Sequence, residues 1–131
     1  VQACRVTGAI IVTTPQEVAV GDALRGAKMF ERVGVPVLGV VENMSGFECP
    51  GCGRHHALFG EGGGQRLAEE IGVPLLGKVP LQEGMVEEAD AGRPIVVSQP
   101  GTPAAQALSD IAATIRREHS GRGTPLPILR G

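Results

Sequence analysis

Three short apolar runs constrain the fold of this chain more than any other feature. Residues 8–12 read Gly-Ala-Ile-Ile-Val, residues 35–41 read Val-Pro-Val-Leu-Gly-Val-Val, and residues 75–79 read Leu-Leu-Gly-Lys-Val. The first two are rich in β-branched residues and lack the polar alternation of a half-solvated strand. Such runs read as strands buried on both faces, as in a parallel sheet. Helical signals fall between them. Thr14-Pro15-Gln16-Glu17 has the form of a capping box, with Thr14 as N-cap, Pro15 at the first helical position and Glu17 at the third. Val18, Ala19, Ala23, Ala27 and Phe30 follow at helical spacing, and the helix is expected to stop near Gly34. Further helices are predicted over 65–71, closed by Gly72, over 85–91, and over 103–118 with Ala105, Leu108, Ile111, Ala112 and Ile115 on one face. Pro80 is expected to stop the third strand, and 94–97 to be a short extended piece. Strands alternating with helices make βαβ units and a mostly parallel sheet.

Composition narrows the function. At 131 residues the chain is one domain or part of one. A formal charge of −2 and no basic stripe argue against nucleic-acid binding. Phe30, Phe47 and Phe59 are its only aromatic residues, so base stacking has few candidates. No apolar run approaches the ~20 residues that span a bilayer, and no signal-peptide pattern opens the chain. Three cysteines, an odd and low count, point to a reducing compartment rather than a disulfide scaffold, and so to the cytoplasm. The chain opens on Val1 rather than Met and reads as a piece of a longer protein. Residues 119–131, rich in Gly and Pro towards the end, read as a loose tail.

The chemistry concentrates in residues 44–64, read as one long loop. Cys49-Pro50-Gly51-Cys52 places two thiolates three residues apart, with glycines that let both sulfurs address one centre. Two thiolates are half of what a tetrahedral metal or a cubane cluster requires. The other cysteine, Cys4, is remote in sequence. The site therefore recruits other ligands or is shared by two chains. His55 and His56 make a mononuclear zinc site conceivable; a thiol redox pair and inert loop thiols are the other readings. The run Gly60-Glu61-Gly62-Gly63-Gly64 is not a phosphate loop. No Lys-Ser/Thr follows it and Glu61 would repel an anion, so it reads as a flexible turn. Asn43 ends a buried strand, where open α/β sheets bind ligands; its amide matches the edge of adenine, and a turn-forming role competes. Asp22 and Arg25 read as a solvated ion pair worth little.

Taken together, Gly8-Ala-Ile-Ile-Val-Thr-Thr-Pro-Gln-Glu-Val-Ala, Pro36-Val-Leu-Gly-Val-Val-Glu-Asn-Met-Ser, the Cys49–Cys52 pair, Phe59-Gly-Glu-Gly-Gly-Gly, Leu76-Gly-Lys-Val-Pro-Leu and Gly92-Arg-Pro-Ile-Val closely resemble the Mrp family. These are iron–sulfur cluster carrier ATPases of the MinD/ParA-like P-loop NTPases, and the resemblance covers roughly residues 6–117. It implies a doubly wound, mostly parallel sheet, here incomplete, with residues 1–118 as the C-terminal part of the domain. It implies a homodimer in which Cys49 and Cys52 of each chain share one [4Fe–4S] cluster, delivered to apo iron–sulfur proteins. It also implies that Asn43 and the segment Val79, Pro80 and Leu81 line the adenine side of an ATP site. The family's two-lysine phosphate loop and its Mg²⁺-binding aspartate belong to a half that would precede Val1. This chain by itself is therefore expected not to hydrolyse ATP. Cys4 is expected to be a small buried hydrophobe, and no ligand role is carried onto His55 or His56. Two other readings stand beside the carrier: a structural zinc loop of Cys49, Cys52, His55 and His56, and a nucleotide-binding remnant without a cluster.

Overall fold

The structure, a computed structural model, describes residues 6–120. Cys4 and the tail from residue 121 lie outside the described residues. In chain order the elements are β1 (Ala9–Thr13), α1 (Glu17–Arg32), β2 (Val37–Glu48), β3 (His55–His56), α2 (Gly63–Ile71), β4 (Leu75–Leu81), α3 (Met85–Asp90), α4 (Ile95–Ser98) and α5 (Pro103–His119).

β2 is the middle strand. It runs parallel to β1 on one side and to β4 on the other, so that Val41 lies between Val12 and Gly77. The pleat sends successive residues to opposite faces; at β2 each face is covered, whereas on β1, expected to be buried on both faces, Val12 is 59% exposed. Val40 joins Ile11, Ala27, Leu67 and Ala68 in a core under α1 and α2. Val41 joins Val79, Ala104 and Ile111 in a second core under α5. This is the doubly wound arrangement, and it explains the unbroken apolar runs. Fully buried aliphatic side chains such as Val40 and Leu67 each contribute about 1.5–3 kcal/mol. Close approach of α5 to β4 depends on Gly77, where a Cβ would stand 2.7 Å from Cγ1 of Ile111.

Several boundaries differ from the sequence reading. The capping box does not form. Gln16 is the N-cap of α1, without a side-chain cap bond, because the Thr14 hydroxyl donates to Oε1 of Gln16 at 3.0 Å instead of accepting from the helix. β4 runs through Pro80 to Leu81. It pairs with β2 alone among the described residues, and an edge position tolerates a missing N–H. α2 begins at Gly63 rather than at residue 65. The predicted extended piece is the short helix α4. The largest difference is β2, which continues to Glu48. Its register against β4 shifts between Asn43 and Phe47, where Met44 adopts a left-handed φ of 53° and Gly46 one of 79°. A non-glycine residue in that region costs of order 1 kcal/mol, so other contacts must hold the bend. Residues 44–64 are therefore not one loop but a strand end, a hairpin and the start of a helix. The exposed Asp22–Arg25 pair forms as read, at 2.6 Å.

Candidate functional site: a dithiol hairpin beside the carboxyl edge of the sheet

The extension of β2 pairs antiparallel with β3, Phe47 opposite His56 and Glu48 opposite His55. This hairpin carries the two cysteines at its tip. The Cys49 N–H donates to the Arg54 carbonyl at 3.0 Å and the Gly53 N–H to the Cys49 carbonyl at 2.8 Å, with Gly53 left-handed at φ 69°. Cys52 is exposed and Cys49 half-buried, both as free thiols. The backbone N–H of Cys52, then that of Gly51, then the Cys52 thiol itself, hold the Cys49 thiol below the usual thiol range. Amides pointed at a sulfur stabilise its anion, which is the form that ligates metal.

The histidines do not complete a site with these thiols. His55 and His56 are successive residues of a strand and leave it on opposite faces. The His55 imidazole packs where a Cβ on Gly46 would stand, with Nε2 4.0 Å from Oε1 of Glu61. Among the described residues no three His, Cys, Asp or Glu side chains converge as a metal site. The four-ligand zinc loop within one chain is thus not supported, for the reason that strand geometry splits its two histidines.

At the carboxyl edge, Asn43 lies opposite Val79 in the parallel register, and Phe47 opposite Leu81. Asn43 is half-buried. Val79 is 2% exposed and belongs to the core under α5, so it supports the edge from beneath rather than offering an open surface. Pro80 and Leu81 are half-buried. With Phe47, Cys49 and His55 they line one cleft of about 370 Å³. One cysteine and the tip of β4 therefore face a common space. Gln82, which the sequence reading missed, ties this segment to α5. Its Nε2 donates to Oε1 of Gln99 at 3.2 Å, and its Oε1 accepts from the Ala104 N–H at 3.3 Å. A larger cavity of about 650 Å³, lined by Leu24, Lys28, Val35 and Ile71, opens at the opposite, amino end of the strands.

Glu42 was also missed, although a carboxylate closing a fully buried strand is itself a signal. It is 1% exposed. Oε1 accepts the Gly64 N–H at 2.8 Å, and Oε2 accepts the Ser45 hydroxyl. The positive end of α2 is thereby occupied by a side chain of the protein. The glycine run is not a phosphate cradle: Gly60, Glu61 and Gly62 make a bend with left-handed Gly60 and Gly62, as the turn reading expects, and Gly63 and Gly64 are the tightly packed start of α2. A Cβ on Gly63 would collide with the Pro15 carbonyl, and one on Gly64 would stand 2.7 Å from Cβ of Glu42.

A doubly wound, mainly parallel sheet with polar groups at its carboxyl edge is the open α/β architecture that binds ligands at that edge, the class that includes the P-loop NTPases. MinD of Aquifex aeolicus shares this fold, with a TM-score of 0.65 over 92% of this chain and 46% of its own at 23% identity. A nucleotide-binding protein of Archaeoglobus fulgidus, solved in complex with ADP, superposes with a TM-score of 0.59 at 35% identity over 75% of this chain and 39% of its own. The chain belongs to the family described as NUBPL iron-transfer P-loop NTPase, whose pattern matches residues 1–116. The iron–sulfur cluster carrier protein of Haemophilus influenzae is 46% identical to it over 122 residues. That match takes in 93% of this chain and 33% of the relative, so the chain spans about a third of the length of that curated relative. The membership is the one that the motifs around Asn43 and Cys49 implied. None of the described helices is long and apolar enough to cross a membrane.

Proposed function

We propose that this chain is the cluster-holding and base-holding portion of an iron–sulfur cluster carrier that works as a homodimer in the cytoplasm. The observation that carries the reading is the hairpin tip. It presents Cys49 and Cys52 together, one of them exposed, with no third ligand gathered beside them among the described residues. Four thiolates complete a [4Fe–4S] cluster, and two copies of this tip supply four. The lowered thiol range of Cys49 favours the ligating anion. An exposed position suits a cargo that is handed on. Transfer to an apo iron–sulfur protein then exchanges iron–thiolate bonds of the carrier for those of the recipient, with no change of oxidation state.

Asn43, with Pro80 and Leu81 and with the buried Val79 supporting them from beneath, forms the adenine side of the ATP site in the longer protein. The Asn43 carboxamide matches the donor and acceptor pair on the adenine edge. Its neighbour β4 supplies half-buried apolar surface from Pro80 and Leu81. The described residues hold no cradle for the triphosphate or its Mg²⁺, so the phosphate chemistry of the family is assigned to the remainder of the longer protein.

Anaerobic reconstitution with iron and sulfide tests the carrier reading. The expected product has about two irons and two sulfides per chain, the share of one four-iron cluster divided between two chains. Cys49→Ala and Cys52→Ala abolish it, and Cys4→Ala does not. Binding of one zinc per monomer, with no uptake of iron and sulfide, would overturn the proposal.

A further inference from the structure

We infer that Glu42 is a positioning residue for the Cys49–Cys52 pair: one buried carboxylate clasps both roots of the segment that carries the two thiols. The inference rests on the proposal that these cysteines act together as a ligand pair. Ser45, whose hydroxyl donates to Oε2, stands at the beginning of the excursion, directly after the left-handed Met44. Gly64, whose N–H donates to Oε1, stands at its end, in the first turn of α2. The strand end, the thiol hairpin and β3 lie between these two bonds; Phe47 and Glu48 pair with β3 inside the segment, and Phe47 opposite Leu81 is its further tie to β4.

A carboxylate buried to 1% exposure is expensive unless its oxygens are hydrogen-bonded. Even when bonded it gives little net stability over an apolar side chain of the same size. What the Glu42 clasp gives is position. It opposes the strain of Met44 and sets where β2 bends away from β4. It also fixes where α2 begins, and glycine is needed at Gly64 so that the carboxylate can approach the helix end. Fixing both roots of a loop lowers the ordering cost of bringing its two sulfurs to one centre. Asn43 is the next residue of β2 and leaves the strand on the other face. The same clasp therefore holds the peptide that carries the base-side amide.

A trivalent arsenical, phenylarsine oxide, tests this without iron. It condenses with two thiols held side by side, forming two As–S bonds and releasing one water, and no electron is transferred. In the full 131-residue chain carrying Cys4→Ala, Glu42→Ala should weaken arsenical binding about tenfold, equivalent to about 1.4 kcal/mol. Ser45→Ala and Gly64→Ala should each weaken it several-fold. Glu42→Gln should stay within about twofold, because its carbonyl accepts the Gly64 N–H and its amide meets the Ser45 oxygen. A role confined to stability would lower the unfolding midpoint of these variants and leave the affinity of the folded protein unchanged. Folded Glu42→Ala that binds the arsenical as tightly as its parent would overturn the inference. Should Glu42→Ala fail to fold, unchanged affinity in both Ser45→Ala and Gly64→Ala would overturn it equally. Failure of the parent chain to take up iron and sulfide would count against the carrier reading alone, since the arsenical comparison does not depend on it.

Discussion

Asn43 stands beside Val79 in the register of β2 and β4, and the two residues serve the same edge from different depths. Asn43 is half-buried at the rim, whereas Val79 is 2% exposed and packed with Ala104 and Ile111 beneath it. The polar group that would meet a base is thus seated on a strand pair locked by core packing. A truncation at Val79 should be felt as lost stability. Val79→Ala is expected to lower the free energy of unfolding by about 2 kcal/mol, and Leu81→Ala, half-exposed, by under about 1 kcal/mol. Urea titration of the two variants checks this, and equal losses would mean that β4 is not anchored through Val79.

The Cys49 thiolate should persist to unusually low pH. The backbone amides of Cys52 and Gly51 hold the Cys49 thiol below the usual thiol range. A depressed pKa means that the anion persists to lower pH and is lost as pH falls through the depressed value. Iodoacetamide should therefore still alkylate Cys49 at a pH where an unperturbed thiol, such as that of free cysteine, has stopped reacting. Peptide mapping by mass spectrometry after brief labelling across a pH series reads the Cys49 rate. A Cys49 rate that falls off at the same pH as that of free cysteine would show that the turn does not support its first sulfur.

Cluster loading should drive association. One hairpin offers two thiolates, so the cluster-loaded form is expected to elute as a dimer and the cluster-free form to fall back towards monomer on chelation of the iron. Size-exclusion chromatography under anaerobic conditions reads the change. A loaded monomer with four irons would require ligands from elsewhere in the chain.

The isolated chain should release no phosphate from Mg·ATP. Phosphoryl transfer depends on a phosphate loop, a lysine and a metal ion held in place. Lys28 lines the cavity at the amino end of the strands, away from the Asn43 edge. Lys78 is exposed within β4. The helix N-terminus that follows the glycine run is filled by Glu42. Turnover lost on substitution of Lys28 or Lys78 would show that a phosphate site exists where none is assigned.

Much of this protein is legible in its residues alone. The apolar runs around Ile11, Val40 and Leu75 point to strands of a parallel sheet packed under helices, which reads as such runs, although Val12 is 59% exposed in the structure. The spacing of Cys49 and Cys52 declares a pair of ligands that is incomplete, and the motifs around them declare the family. These are local signals, written in consecutive side chains. The departures have a different origin. β2 continues past Asn43 through a left-handed Met44 to pair with β3 and with Leu81 of β4, and Glu42 beside this bend bonds Gly64, 22 residues away; no local propensity carries that information. Pro80 stays in its strand because, among the described residues, β4 pairs with β2 on one side only, which is a fact of topology. His55 and His56 part company because a two-residue strand forms against Phe47 and Glu48. The sequence by itself therefore determined which segments are strands and which residues are chemically equipped. Tertiary structure alone decided how the buried carboxylate of Glu42 joins both ends of the dithiol segment, since that bond forms only after the sheet has brought β2 and α2 together.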